Sequence, residues 1–184
     1  MRLLSPVFLI GLPGSGKSTV GRQLARRLGL PFVDVDHSIE ARIGCSIRAF
    51  FEREGEAAFR DIEAALIDEI SAGEAAVVST GGGSVLRPEN RTRLHERGHV
   101  VYLRSSPEEL YRRLRHDRHR PLLQVDDPMA KLRELHAQRH PLYAQTAHFT
   151  IDTGRPSVAT LVNMIVMQLE LAGLTRPPDG RPDA

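Results

Sequence analysis

The stretch GLPGSGKST at residues 11–19 follows immediately on the apolar run Val7–Ile10. Four consecutive apolar residues are what a strand buried on both faces of a parallel sheet presents. From Lys17 to Leu28 the spacing becomes helical, with Val20, Leu24 and Leu28 on one stripe and Gly29 as the stop. A glycine-rich loop between such a strand and such a helix narrows the possible folds sharply. Gly11-x-x-x-x-Gly16-Lys17-Ser18 is the complete Walker A pattern, in the strand–loop–helix setting that confirms it.

The residue types follow from phosphate chemistry. Glycines let the backbone curl until successive N–H groups point inward as an anion-binding nest. The helix that begins at Gly16-Lys17 adds the positive end of its dipole, so Gly14, Ser15 and Gly16 are candidate phosphate donors. Lys17 is one of two lysines in a chain with 23 arginines. A compact ammonium can follow phosphate oxygens as charge moves, whereas a planar guanidinium fits a crowded loop badly. Ser18 is the candidate Mg²⁺ ligand, and Thr19 is placed to touch a phosphate. The bland alternative is a glycine turn without a ligand; the expected ligand is a nucleoside triphosphate.

Strands continue to alternate with helices. Strands are expected at 31–36, 75–79, 99–103 and 148–152, and helices at 38–43, 46–53, 57–71, 88–96, 107–115, 129–139 and 157–172. This order predicts an α/β fold of P-loop NTPase type: three αβα layers around a five-stranded parallel sheet. Residues 1–172 read as a single domain with a mobile lid near 114–127, which is polar, charged and broken by Pro121. Residues 173–184 read as a disordered tail by composition.

With 25 basic and 23 acidic residues, the formal charge of +2 gives no large positive field. Aromatic residues make up 5% and tryptophan is absent, so stacking platforms for nucleic acid are not in evidence. The single cysteine, Cys45, cannot form an internal disulfide, which favours a reducing compartment. No signal peptide fits before the first strand, and no apolar run is long enough to span a bilayer. A cytoplasmic monomer with no membrane and no nucleic-acid partner is the expectation.

A phosphate loop does not say where the phosphate goes. The GTPase motif Asn-Lys-x-Asp is missing. Leu66-Ile-Asp-Glu69 resembles a motor-ATPase acidic signature, but it lies inside the helical stripe begun at Phe59, which makes Asp68 and Glu69 helix-surface acids. Asp34 and Asp36 are better candidates. Two apart on a strand, they would share a face at the carboxyl end of a parallel sheet, where such folds bind ligands. One could steady the water shell of Mg²⁺ while the other holds or deprotonates an acceptor hydroxyl. The alternative is a polar strand exit that caps the next helix.

Taken together, the Walker A loop, Asp34-Val-Asp36, Phe59-Arg60, Gly81-Gly-Gly83, Arg120-Pro-Leu-Leu123 and Arg139-x-Pro-Leu-Tyr143 resemble, in order and approximate spacing, the shikimate kinases. The likeness runs from about residue 7 to 170. It implies transfer of the γ-phosphate of ATP to the 3-hydroxyl of shikimate, a step toward chorismate and the aromatic amino acids. It also implies that Arg60 and Arg139 hold the substrate carboxylate, a task suited to bidentate guanidinium forks. Glu63, three residues after Arg60 on the same helix, would steady its side chain. Gly81, Gly82 and Gly83 correspond to backbone that approaches substrate closely. Asp36 matches the hydroxyl ligand and candidate base, and Asp34 the acid that contacts Mg²⁺ through water. Arg120 matches a lid arginine that acts on the transferring phosphate beside Lys17. Arg113 and Arg155-Pro156 fall where the family packs adenine. His116 and His119 read as solvated loop residues.

Two rivals remain open at this stage. Another small-molecule P-loop kinase, acting on gluconate or a nucleoside monophosphate, would share the loop, and a sugar-acid kinase would also want arginines. The triple glycine and the Asp-x-Asp spacing favour shikimate. A nucleotide-sensing regulator would be expected to lack Lys17, Asp36 or Arg120, and all three are present.

Overall fold

The computed structural model describes residues 2–3, 5–115 and 125–176. Five strands form one parallel sheet: β2 (Val7–Ile10), β3 (Phe32–Asp34), β4 (Val77–Ser79), β5 (His99–Arg104) and β6 (Phe149–Asp152), in the spatial order β3-β4-β2-β5-β6. A separate antiparallel pair joins β1 (Arg2–Leu3) to β7 (Thr175–Arg176).

Side chains alternate along these buried strands and divide the core in two. Phe8, Ile10, Val78, Val100 and Tyr102 face one way. They pack under α2 (Val35–Ile43), α3 (Ile47–Glu54), α4 (Glu56–Ser71), α5 (Pro88–Arg97), α6 (Pro107–Leu114) and α7 (Pro128–Thr146). Val7, Leu9, Val77, Val101 and Leu103 face the other way, against α1 (Lys17–Leu28) and α8 (Val158–Leu171). With both faces covered, the strands β2 and β5 present long buried apolar runs. The result is the expected three-layer αβα architecture.

Register brings the chemistry to one end of the sheet. Leu9 and Asp34 both stand opposite Ser79, so the carboxyl ends of β2, β3 and β4 finish side by side. The phosphate loop, the acid pair and the glycine triplet all leave the sheet there.

Three local expectations are corrected. The second strand ends at Asp34, not Asp36, because the Asp34 carboxylate accepts hydrogen bonds from the backbone N–H of Asp36 and His37 and so caps α2. The helix expected over 129–139 runs on to Thr146 with Pro141 inside it. Proline removes one backbone donor there, yet buried Tyr143 and Thr146 keep the C-terminal half packed. The tail read as disordered from 173 is paired at Thr175–Arg176, where Leu174 packs on the core beside buried Leu3. Asp68 and Glu69 lie in α4 as helix-surface acids, paired with Arg97 and Arg42.

Candidate active site

The phosphate loop is held open by its own lysine. Gly14 and Gly16 adopt φ of +86° and +93°, which L side chains rarely tolerate, and Gly16 serves as the N-cap of α1. Lys17 is buried, and its Nζ donates to the carbonyls of Gly11 and Leu12 at 2.8 and 3.1 Å. Those contacts fix a positive charge beside the loop. Ser15 Oγ, buried in the same loop, has no hydrogen-bond partner among the described residues. Such an orphan fits a site that awaits an acceptor or donor from a ligand.

Asp34 makes two contacts, and the capping alternative is the one realised in the backbone. One carboxylate oxygen caps α2; the other accepts from Ser18 Oγ at 3.0 Å, while Ser79 Oγ lies 3.3 Å from the same hydroxyl. Asp36 sits in the first turn of α2, not on a strand, yet it lines the same cavity as Asp34 and Lys17. Burial pushes its carboxyl up to about 6, with Asp34 and Glu63 adding to the rise and Lys17 opposing it. A carboxyl near 6 is ionised at neutral pH yet basic enough to accept a proton.

Across from these acids lies the glycine triplet. A Cβ at Gly81 would stand 2.8 Å from Asp36 Oδ1, one at Gly82 would stand 3.2 Å from Arg139 Nη1, and one at Gly83 would overlap the Arg60 guanidinium. Any side chain there would displace the acid or the arginines. Arg60 Nη1 donates to Glu63 Oε1 at 2.9 Å, and Glu63 is fully buried with Ser84 Oγ at 3.4 Å from its other oxygen. The Nε of Arg60 and the Nε of Arg139 are both buried without a hydrogen-bond partner among the described residues. Two buried, unsatisfied Nε donors beside bare backbone can receive a small anion.

A cavity of about 540 Å³ collects most of the sequence-derived residues: Gly14, the run Gly16 to Thr19, both acids, Gly82 and Arg113. Gly81 and Arg139 border it through Asp36 and Gly82, and Arg60 stands behind Gly83. Arg113 ties the phosphate loop to the β6–α8 turn, donating to the carbonyls of Ser15 at 3.3 Å and Thr153 at 2.7 Å. Arg155 lies apart, in a second cavity of about 480 Å³ with Gly154, Pro156 and Ser105. Arg120, His116 and His119 lie outside the described residues. Sequence reasoning missed Ser79, Glu40 and His37, which also line the main cavity, and gave no role to Tyr143, whose hydroxyl donates to the Gly82 carbonyl.

A parallel sheet that ends in a phosphate loop, with paired acids and an anion receptor opposite, defines a P-loop kinase of a small acidic acceptor. Comparison with known proteins narrows the class. A family profile described as shikimate kinase matches residues 13–170. A shikimate kinase of Ralstonia nicotianae is 60% identical over 175 residues, spanning 95% of this chain and 92% of that protein. One of Paracidovorax citrulli is 63% identical over 175 residues, spanning 94% and 95%. The structure of an Acinetobacter baumannii shikimate kinase in complex with shikimate superposes with a TM-score of 0.88 at 42% identity, covering 94% of this chain and 96% of that one. A Sinorhizobium meliloti gluconokinase gives 0.59 at 21% identity, a likeness of fold alone. The chain belongs to the shikimate kinase family, and its activity is ATP-dependent phosphorylation of shikimate.

Proposed function

We propose that the phosphoryl group moves from ATP in the Lys17 cradle to the 3-hydroxyl of shikimate held against Asp36, with the substrate carboxylate clamped by Arg60 and Arg139. The observation that carries this reading is the pair of buried, orphaned Nε donors of Arg60 and Arg139, set against glycine backbone that borders Asp36. The acceptor oxygen forms a bond to the γ-phosphorus as the bond to the bridging oxygen breaks, and ADP leaves with that electron pair. The hydroxyl proton passes to Asp36. Positioning and charge stabilisation supply most of the acceleration in such transfers. Lys17 and the N–H groups of Gly14 to Thr19 receive the charge on the phosphates, and Arg120 joins them from the lid.

Ser18 and Asp34 offer hard oxygen donors 3.0 Å apart next to the phosphate loop, which suits Mg²⁺ bound by Ser18 directly and by Asp34 through water. Among the described residues there is no group of three His, Cys, Asp or Glu able to hold a metal, in keeping with an ion that relies on phosphate and water for its remaining ligands. When bound, Mg²⁺ would draw charge from the β- and γ-phosphate oxygens. Adenine would lie near Arg113 and Arg155, at the turn between β6 and α8. Among the described residues, no helix is long and apolar enough to cross a membrane. A cytoplasmic monomer that acts on shikimate and ATP, without nucleic acid, is the reading we adopt.

Arg139→Ala tests the clamp. Equilibrium titration should show shikimate affinity falling at least about 30-fold, as befits a lost charge-assisted pair, with ATP affinity nearly unchanged. Equal losses for both ligands would refute it.

A further inference from the structure

Arg139 and Tyr143 stand four residues apart on α7, so both project from the same helix face. Tyr143 is fully buried, and its hydroxyl donates to the carbonyl of Gly82 across 61 residues of chain. Gly82 is the residue beside which the Arg139 guanidinium rests. One hydroxyl therefore joins the helix that carries an arginine of the clamp to the loop that receives the substrate.

The bond matters because of what it restrains. Three successive glycines have few intrinsic barriers to backbone rotation; the N–H groups of Ser84 and Leu86 hold the Gly81 and Gly83 carbonyls, which leaves the Gly82 carbonyl between them. The loop's ends are secured elsewhere. Thr80 donates to the Leu9 carbonyl through both its N–H and its hydroxyl, and Arg91 holds the carbonyls of Val85 and Leu86. At the middle, the Tyr143 hydroxyl fixes the carbonyl of Gly82. A trans peptide is planar, with C=O and the following N–H pointing in opposite directions. Fixing the Gly82 carbonyl toward α7 therefore aims the Gly83 N–H the other way.

The tyrosine is built to stay a donor. Burial drives its hydroxyl far above the ordinary value of 10, with the Arg139 charge, a hydrogen bond from Arg139 and the Arg60 charge opposing only in part. Its ring packs against Tyr102 at a centroid distance of 5.0 Å, and the Tyr102 hydroxyl is engaged separately with His140 Nδ1 at 2.9 Å. Neither neighbour competes for Gly82.

We propose that Tyr143 is a positioning residue for the acceptor: its hydroxyl locks the Gly82–Gly83 peptide and the Arg139 helix into the one arrangement that receives shikimate. The inference rests on the substrate reading above. Tyr143→Phe removes the hydroxyl and keeps the ring. The KM for shikimate should rise about tenfold, the loss of one well-placed hydrogen bond, while the KM for ATP stays within about twofold. Tyr102→Phe is the control, since it deletes a hydroxyl from the same ring pair without touching the loop, and it should leave both KM values unchanged. An unchanged shikimate KM in Tyr143→Phe would overturn the proposal, as would an equal rise in Tyr102→Phe, which would mark a general loosening of the core. If Arg139→Ala weakens shikimate and Tyr143→Phe does not, the Tyr143 role fails alone. If Arg139→Ala also has no effect, the substrate reading fails with it.

Discussion

Replacing Asp36 by asparagine should make the protein more stable and inactive. The carboxyl of Asp36 is pushed from 3.8 to about 6 by burial and by the nearby charges of Asp34 and Glu63. Its raised value means that the fold favours the protonated form. Below pH 3.8 the group is neutral in both folded and unfolded chains and has no effect on stability. Between that value and about 6 the unfolded chain ionises first, so stability falls as pH rises; above 6 the full cost is present. One pH unit of separation corresponds to about 1.4 kcal/mol, so the ionised group costs up to about 3 kcal/mol at pH 7.5 and about 1 kcal/mol at pH 4.5. Asparagine has the same shape and no charge. Asp36→Asn should therefore raise Tm by roughly 6–12 °C at pH 7.5, taking about 2–4 °C per kcal/mol for a chain of this size. The gain should shrink to about a third at pH 4.5. Thermal unfolding followed by circular dichroism at both pH values measures it, and a coupled ADP-release assay should find turnover abolished. Lower stability of the variant at pH 7.5, or a gain independent of pH, would refute the electrostatic reasoning.

Gly83→Ala would drive a methyl group into the Arg60 guanidinium, so Arg60 must move away from the acceptor site. Steady-state kinetics should show at least a tenfold rise in the KM for shikimate, with the KM for ATP spared; a normal shikimate KM would contradict the close approach. A second pH effect is expected at the opposite end of the sheet. His148 accepts a hydrogen bond from the Val100 N–H through Nδ1 and stacks on His95, and burial together with His95 and His99 holds it below its ordinary value of 6.5. A depressed histidine contributes stability that is complete above 6.5 and lost as pH falls through and below it. His148→Asn, which keeps an acceptor and cannot titrate, should flatten the decline in Tm between pH 7.5 and 5.5; an unaltered slope would count against it.

The layers of the fold were legible because β2 and β5 are apolar runs and helices such as α1 carry an apolar stripe. The phosphate loop was legible because its glycines and its rare lysine have few other uses. Less could be read where one residue answers to distant partners. Asp34 ends its strand only because its carboxylate reaches the backbone of the next helix, and that same carboxylate holds Ser18, sixteen residues earlier. Pro141 lies inside α7, where the burial of Tyr143 outweighs one missing backbone bond. Ser79 meets Ser18 across the sheet, and Tyr143 meets Gly82 across 61 residues, and neither encounter has a local sequence signal. Arg155 shares a sequence neighbourhood with the β6–α8 turn but lines a different cavity from the phosphate loop, together with Gly154 and Pro156.

The most direct test offers the purified protein ATP with Mg²⁺ and, in parallel, shikimate, quinate, gluconate and nucleoside monophosphates, with the phosphorylated product followed by phosphorus NMR. Stoichiometric formation of shikimate 3-phosphate, with turnover of the other acceptors at least about a hundredfold lower, is the expected result. Gluconate or a nucleotide phosphorylated as well as shikimate, or ATP hydrolysed with no acceptor modified, would contradict an arginine clamp that holds shikimate opposite the phosphate cradle.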